Sequence, residues 1–195
     1  MKKYLAQILL LLAVGGARGQ GFVYDQQVSN LNPPGGFNNI LPDPSGQSFI
    51  PTLTSVGFIQ LYLSDGSPTH AGALMYVNLW SGSLTSGTLI GQTATTSLPG
   101  VFWGSANFLF STPPALTPGT TYYFQPVIQS GDAFDVGILP GFLYANGTAF
   151  FQGTAQPGSD LWFREGIVVP EPSSVLLALA GFVGFYFVRN RIPLR

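Results

Sequence analysis

Two pairs of acidic residues are the first groups in this sequence that could carry out chemistry. Asp132 and Asp135 are separated by two residues, and Asp160 and Glu165 lie near the end of the acidic middle region. Paired carboxyl groups serve as acid and base in glycoside hydrolysis, and carboxylates with backbone carbonyls bind calcium. The first spacing fits no EF-hand loop. We therefore interpret these acids mainly as solvated or turn-forming residues, keep Asp132 and Asp135 as calcium candidates, and predict no catalytic residue.

A histidine-dependent site would have to use His70, because it is the only histidine in the chain. A Ser-His-Asp triad needs such a base, and a histidine-based zinc site would need further ligands. No Gly-x-Ser-x-Gly sequence marks a nucleophilic serine, and the cysteine count of zero excludes thiol chemistry. We expect His70 to be an exposed loop residue and predict neither an enzyme nor a cofactor.

Aromatic residues suggest a different kind of site, because their rings offer a large apolar surface with a polar edge. Exposed on a sheet face, they would form a platform on which sugars stack. The candidates are Trp80, Trp103 and Trp162, with Tyr62, Tyr76 and Tyr123 as further members. The alternative places them in the core, since 16 Phe and 3 Trp must pack somewhere.

The charge distribution separates the ends of the chain from its middle. Six of the seven Lys and Arg residues lie near the termini, and only Arg164 lies within 20–172. All eight acids lie in that range, so one positive and eight negative charges give it a net charge of −7. An acidic, lysine-free segment does not neutralise phosphates, which argues against nucleic acid as a partner. We expect Arg164 to be structural and to pair either with neighbours of Glu165 or with a buried acid.

Residues 1–19 have the three parts of a secretory signal peptide. Two lysines are followed by an apolar run over residues 5–14, and small residues precede the expected cleavage point. We predict a signal helix, export through the Sec translocon and cleavage between Gly19 and Gln20. The alternative is an uncleaved anchor, for which ten apolar residues are few.

The middle of the chain has the pattern of an all-β domain. Short β-rich runs alternate with turn signals, in a sequence with 25 Gly and 16 Pro. We predict an antiparallel β-sandwich over residues 47–168, either immunoglobulin- or fibronectin-like or a jelly roll, after a strand and loop region over 20–46. Ile59, Leu61 and Leu63 should share one face of a strand. The predicted strands are 22–24, 56–63, 74–80, 88–97, 107–110, 149–152 and 161–164.

The last segment, residues 169–195, has three parts that are typical of a targeting segment. A rigid Pro-Glu-Pro tripeptide precedes an apolar run over 175–188, and we predict a transmembrane helix over 174–188. Its rise of about 21–24 Å is shorter than a usual membrane span. The basic end should stay on the cytoplasmic side. It consists of Arg189, Arg191 and Arg195. A permanent C-terminal anchor and a buried core helix are the alternatives.

This segment resembles the PEP-CTERM sorting signal of Gram-negative bacteria. The resemblance covers about 26 residues and rests on Pro170, Glu171 and Pro172, then two serines, the apolar run and an Arg-Asn-Arg sequence. It implies recognition by an exosortase, a membrane protease, and cleavage near the tripeptide. Transfer to the outer surface or the exopolysaccharide matrix would follow. The three motif residues would then be a substrate site, and only the spacing of Arg191 and Arg195 departs from the usual denser cluster.

The sequence over 116–124 gives the clearest indication of fold. Leu116, a Pro-Gly turn and Tyr122 at the start of a strand resemble the tyrosine corner of immunoglobulin-like sandwiches. In that motif the tyrosine hydroxyl bonds back to the backbone. Together with residues 147–151 and 159–164, this stretch also resembles exported bacterial β-sandwich domains known as choice-of-anchor proteins. That resemblance implies fold and export, and no chemistry.

The sequence therefore predicts a non-enzymatic protein of the bacterial surface or exopolysaccharide matrix. Its expected partners are the exosortase, the Sec translocon, the membrane before processing and a glycan. The alternative is a carbohydrate-binding module, with or without calcium.

Overall fold

The computed structural model describes residues 20–40, 44–141 and 144–170, all of them strands, turns and loops. The predicted signal peptide, the helix over 174–188 and the basic tail lie outside this part of the chain. Within it, no helix is long and apolar enough to cross a membrane. Residues Val23–Ile167 form one compact unit, and the outer ends of the first and last strands belong to a second unit.

Fourteen strands, counted over the described residues, form two antiparallel sheets. In chain order they are β1 (Gln20–Val28), β2 (Gly36–Asn39), β3 (Gly46–Phe49), β4 (Phe58–Asp65), β5 (Ala73–Ser81), β6 (Thr88–Gln92), β7 (Thr96–Leu98), β8 (Trp103–Leu109), β9 (Tyr122–Gly131), β10 (Phe134–Pro140), β11 (Ala149–Phe151), β12 (Thr154–Gln156), β13 (Ser159–Leu161) and β14 (Phe163–Pro170). The first sheet contains β1, β2, β4, β8, β10, β13 and β14, and the second contains the other seven. The predicted β-sandwich is confirmed.

The core lies between the two sheets. Phe124 of β9 packs against Phe163 of β14 with 5.2 Å between ring centroids, and Phe49 of β3 lies 6.1 Å from the same Phe124. All three side chains are fully buried. Because Phe124 and Phe163 belong to different sheets, their contact joins the sheets directly. Burying each phenylalanine side chain stabilises the fold by about 1.5–3 kcal/mol.

The predicted alternation of β4 is confirmed, but both faces of that strand are buried. Ile59, Leu61 and Leu63 are fully buried in the core. Gln60 and Tyr62, on the opposite face, are also less than a tenth exposed. Aromatic rings from β1, β2 and β8 cover this second face, as described below.

The predicted tyrosine corner is present. The hydroxyl of Tyr122 accepts a hydrogen bond from the backbone N–H of Thr117 at 3.0 Å. Between them, Gly119 has φ +80°, a conformation that favours glycine, and donates its N–H to the carbonyl of Pro51 at 3.0 Å. The turn is therefore fixed to the start of β9 and to the segment after β3.

The boundaries of three predicted segments need correction. The single strand expected over 161–164 covers the end of β13 and the start of β14, with Trp162 between them. The single strand expected over 88–97 is two strands, because Thr93 interrupts the ladder. Its hydroxyl accepts the N–H of Val77 in place of a backbone carbonyl, while its own N–H bonds the Val77 carbonyl, both at 2.9 Å. In addition, the region over 20–46 is not separate from the sandwich. It supplies β1 and β2 to the first sheet, and the boundary after residue 46 falls inside β3.

Candidate functional site

The outward face of β8 is exposed. Alternate residues of a strand point to the same side, and Trp103, Ser105 and Asn107 are all exposed there. Trp103 has 58% of its surface exposed, compared with 43% for Tyr24, the other strongly exposed aromatic residue in the described part of the chain. β8 therefore presents one tryptophan ring followed by two side chains that can form hydrogen bonds.

Two other rings hold Trp103 in place and form an aromatic platform with it. Phe37 of β2 lies 4.6 Å from Trp103 between ring centroids, and Tyr62 of β4 lies 6.1 Å away at an almost perpendicular angle. Phe37 is half-buried and Tyr62 is almost fully buried. The platform is thus an exposed indole supported from below and from the side.

Gly137 of β10 makes room for this arrangement. It pairs with Phe37 in the sheet. A Cβ atom at this position would lie 2.5 Å from Cγ of Pro34 and 3.3 Å from Cβ of Tyr62. Any larger residue would therefore displace the chain that carries the Phe37 ring.

A carboxylate lies on the same face as the platform. The strand register places Trp103 beside Ser64 and Ser64 beside Asp135, so these residues form one row across β8, β4 and β10. Burial, and then the charge of Asp65, raise the pKa of Asp135 above its ordinary value. No hydrogen bond with another described residue occupies this carboxyl group. It is available to accept hydrogen bonds from a ligand.

Asp65 fixes the turn that leads into Trp103. Its carboxylate accepts the backbone N–H of Val101 at 2.8 Å and of Ser67 at 3.0 Å, and lies 3.0 Å from Nδ1 of His70. The bond from Val101 is the main reason that the pKa of Asp65 is lowered. As expected, His70 is exposed and lies in a loop. The contact with Asp65 gives His70 a structural role in this turn.

The two calcium candidates have different environments. Both carboxylate oxygens of Asp132 are already hydrogen-bonded at 2.6 Å, one to the Thr69 hydroxyl and the other to the Ala71 N–H. These bonds lower the pKa of Asp132. Asp135 lies on the platform face instead. Across residues 20–40, 44–141 and 144–170, no three His, Cys, Asp or Glu side chains are grouped so that they could hold a metal ion. Asp132 closes the loop before β5, and calcium binding stays a prediction without a ligand set.

Trp162, predicted as a ligand-binding aromatic residue, is not part of the exposed platform. Its side chain is only 1% exposed, and its indole N–H donates to the backbone carbonyl of Leu31 at 2.8 Å. The guanidinium of Arg164 lies 4.9 Å from its ring and 5.3 Å from the ring of Tyr24. A tryptophan enclosed in this way presents no free face to a sugar.

Trp80 belongs to the other sheet. It lies beside Tyr123 in the register of β5 and β9, and its indole N–H donates to Gln125 at 3.0 Å. Tyr76 is on the same strand. These three predicted aromatics therefore do not join Trp103, and of the predicted set only Tyr62 contacts its ring. Tyr62 also lies 5.6 Å from the buried Trp162 between ring centroids.

The expectation that Arg164 pairs with an acid is not met among the described residues. Its Nε donates to the hydroxyl of Ser29 at 3.1 Å, and Nη1 donates to Gln60 at 3.3 Å. Gln60 in turn donates to Asn107 at 2.7 Å. Arg164 is thus a cation held between two rings and linked to β8 by a chain of amides.

The second predicted acidic pair is buried. Asp160 accepts hydrogen bonds from Gln47 at 2.8 Å and from the backbone N–H of Tyr144 at 2.7 Å, and burial raises its pKa. Glu165 is 0% exposed. A glycosidase pair must reach a solvent-filled cleft, and neither carboxyl group does so.

Sequence reasoning missed Phe37 and Gly137. The alternation of Trp103 with the polar residues Ser105 and Asn107 could have predicted the exposed face of β8. Nothing in the local sequence marked Phe37, which comes from a strand 66 residues earlier.

The fold and this surface define an antiparallel β-sandwich with an exposed aromatic platform. Comparison with known proteins found no matching family model and no matching curated protein.

Proposed function

We propose that this chain is an exported protein of the outer surface or exopolysaccharide matrix of a Gram-negative bacterium. Its role is structural or interactive, and it is not an enzyme. The signal peptide over 1–19 directs export through the Sec translocon. An exosortase then recognises Pro170, Glu171 and Pro172 in the tail over 169–195, whose helix anchors the protein in the membrane before processing.

The order of the tail and its position after the domain support this proposal. β14 ends at Pro170, which is also the first residue of the tripeptide. The described domain is acidic and has no lysine, as suits a segment that crosses the membrane between two basic ends. The tyrosine corner at Tyr122 favours the immunoglobulin-like alternative over the jelly roll.

The intact mass of the protein from its host tests the sorting proposal. We expect the loss of residues 1–19, and the loss of the tail near Pro172 only when the exosortase is present. A tail that is retained in both strains would refute processing and would leave a permanent membrane anchor.

We propose glycan binding as a second function, because Trp103 is exposed next to Phe37 and shares its sheet face with the unoccupied carboxyl group of Asp135. An indole ring would stack on the apolar face of a sugar, and the carboxylate would accept its hydroxyl groups. Phe37 and Tyr62 restrict the movement of the ring, which lowers the entropy cost of binding.

A glycan array with Trp103→Ala tests this second function. We expect binding of one sugar class to the wild type and at least a tenfold loss in the variant, since an aromatic contact of about 1.4 kcal/mol or more corresponds to that factor. Trp80→Ala is the matched control, because it removes a tryptophan from the other sheet. Equal binding by both variants would exclude the platform, and a loss of binding with EDTA would add calcium to the site.

A further inference from the structure

Glu165 is a fully buried acid with one oxygen that has no partner. It lies on β14 opposite the apolar Ile59 of β4. Its Oε1 accepts the backbone N–H of Gln26 at 3.1 Å. Its Oε2 has no hydrogen-bond partner within the described part of the chain, although it is inaccessible to solvent. A buried carboxylate with a free oxygen is costly, whereas a neutral carboxylic acid tolerates this environment.

A second acid lies close to Glu165 and stays ionised. Asp25 of β1 accepts the backbone N–H groups of Thr52 and Leu53 at 2.8 and 2.9 Å, as well as the Thr52 hydroxyl and the Gln26 amide. Burial alone would raise the pKa of Asp25, but these four donors lower it below 3.8. Two neighbouring carboxyl groups cannot both be charged at low cost, so the proton belongs on Glu165.

The other groups around Glu165 do not offer a compensating positive charge. Tyr144, before β11, donates its hydroxyl to the side chain of Gln26 at 2.8 Å, and burial raises the pKa of this tyrosine. Arg164 is the neighbouring residue on β14 and therefore points to the opposite face, where two rings enclose it. β4 contributes only Ile59 at this level. Burial, and then the charge of Asp25, raise the pKa of Glu165 from 4.5 to about 8.

We propose that Glu165 is a proton-dependent latch for β1, which holds this strand beside β14 while it is protonated and releases it when it ionises. This regulatory role is separate from sorting and from glycan binding. β1 is next to β14 in the first sheet and has no further strand beyond it among the described residues. Opening it requires the loss of this pairing and of the contacts made by Asp25 and Gln26, together with the packing of Tyr24 against Phe58 and Arg164 and of the buried Val28.

The direction of the pH effect follows from the pKa of Glu165, which is about 8 when β1 is closed and about 4.5 when β1 is open and the acid is solvated. Glu165 binds its proton more tightly when β1 is closed than when β1 is open and solvated. The opening equilibrium of β1 therefore rises about tenfold per pH unit from about pH 4.5 to about pH 8 and is level above that. Because its hydrogen bonds lower the pKa of Asp25, protonation of this acid in strongly acidic medium would loosen the same strand from the other side. The latch is strongest in mildly acidic medium.

Hydrogen exchange of the backbone amides over residues 23–28 tests the latch in the full chain. After correction for intrinsic exchange rates, we expect the opening equilibrium to rise about 100-fold between pH 5.5 and pH 7.5 in the wild type. In Glu165→Gln it should stay nearly constant, because the amide resembles the protonated acid. Asp135→Asn is the control, since it removes an acid with a raised pKa from β10, and it should behave like the wild type in β1.

The same pH dependence in wild type and Glu165→Gln would overturn the proposal. If the variant does not fold, a titration of the wild type decides the question. The chain has two glutamates, Glu165 and Glu171. With their side-chain carboxyl carbons labelled, one of the two NMR signals should titrate near pH 8. If neither signal titrates near pH 8, Glu165 holds no proton at neutral pH and the proposal is overturned.

Discussion

Replacing Tyr122 by Phe removes one hydroxyl group from the sandwich and leaves the ring in place. That hydroxyl accepts the N–H of Thr117, and Tyr122 is only 7% exposed. Its ring also packs 6.3 Å from Phe49 between centroids, a contact that the phenylalanine keeps. The substitution therefore tests the hydrogen bond of the tyrosine corner alone.

The expected loss is modest and measurable. A hydrogen bond inside a protein contributes about 0.5–1.5 kcal/mol, and a buried donor left without a partner costs about 1–3 kcal/mol. The Thr117 N–H is partly buried, so we expect the free energy of unfolding to fall by about 1–2 kcal/mol. For a domain of this size, that corresponds to a fall in Tm of about 2–8 °C.

Urea unfolding of the full chain, followed by tryptophan fluorescence, measures this loss. Tyr123→Phe is the matched control, because its ring packs on Phe150 and no described residue bonds its hydroxyl. We expect the control to change stability by less than about 0.5 kcal/mol. Equal losses in the two variants would refute a specific role for the corner.

Three further substitutions test the packing and the buried acid. Gly137→Ala should cost about 1–3 kcal/mol, because its Cβ would lie 2.5 Å from Pro34, whereas Gly35→Ala, whose nearest neighbour would be 3.6 Å away, is a tolerated control in urea unfolding. Phe124→Ala should lower the free energy of unfolding by about 3–5 kcal/mol, and a loss below 1 kcal/mol would contradict its place between the sheets. Glu165→Gln should match the wild type near pH 4.5 and exceed it by at most about 5 kcal/mol above pH 8. The reason is that the pKa of this acid is raised in the folded state, so its stabilising effect is lost as the pH rises from 4.5 to 8. Parallel stability curves for the two proteins between these pH values would contradict that account.

The elements that sequence predicted best depend on local patterns. The alternation of Ile59, Leu61 and Leu63 specifies a strand, and the Pro-Gly turn before Tyr122 specifies a corner, because each pattern contains its own physical reason. The strand over 88–97 was predicted too long, since its threonines favour strand equally throughout. Only the contact of Thr93 with a neighbouring strand divides it.

The candidate site depends on contacts that no local pattern contains. Trp103 and Trp162 both lie in or beside β-rich segments, yet one is 58% and the other 1% exposed. The difference arises because the chain after β1 crosses over Trp162, where Leu31 accepts its indole N–H. Phe37 then reaches Trp103 because Gly137 has no side chain. The residue type identifies both tryptophans as candidates for an exposed platform. Which of them is exposed depends on the path of the chain in the folded structure.

Charge limits which polysaccharide the Trp103 surface can bind. Residues 20–172 carry a net charge of −7, and Arg164, their single cation from lysine or arginine, is enclosed by the rings of Tyr24 and Trp162. A polyanionic chain would therefore meet repulsion from Asp65 and Asp135 without a compensating contact, and this repulsion is strongest at low salt. We expect a neutral polysaccharide to bind with an affinity that hardly changes between 10 and 150 mM NaCl, and a uronic-acid polymer to bind more weakly, most of all at 10 mM. Calorimetric titrations of both polymers at the two salt concentrations measure this. Tighter binding of the uronic-acid polymer at low salt would show that an accessible positive surface dominates recognition, and would exclude the Trp103 platform as the main contact.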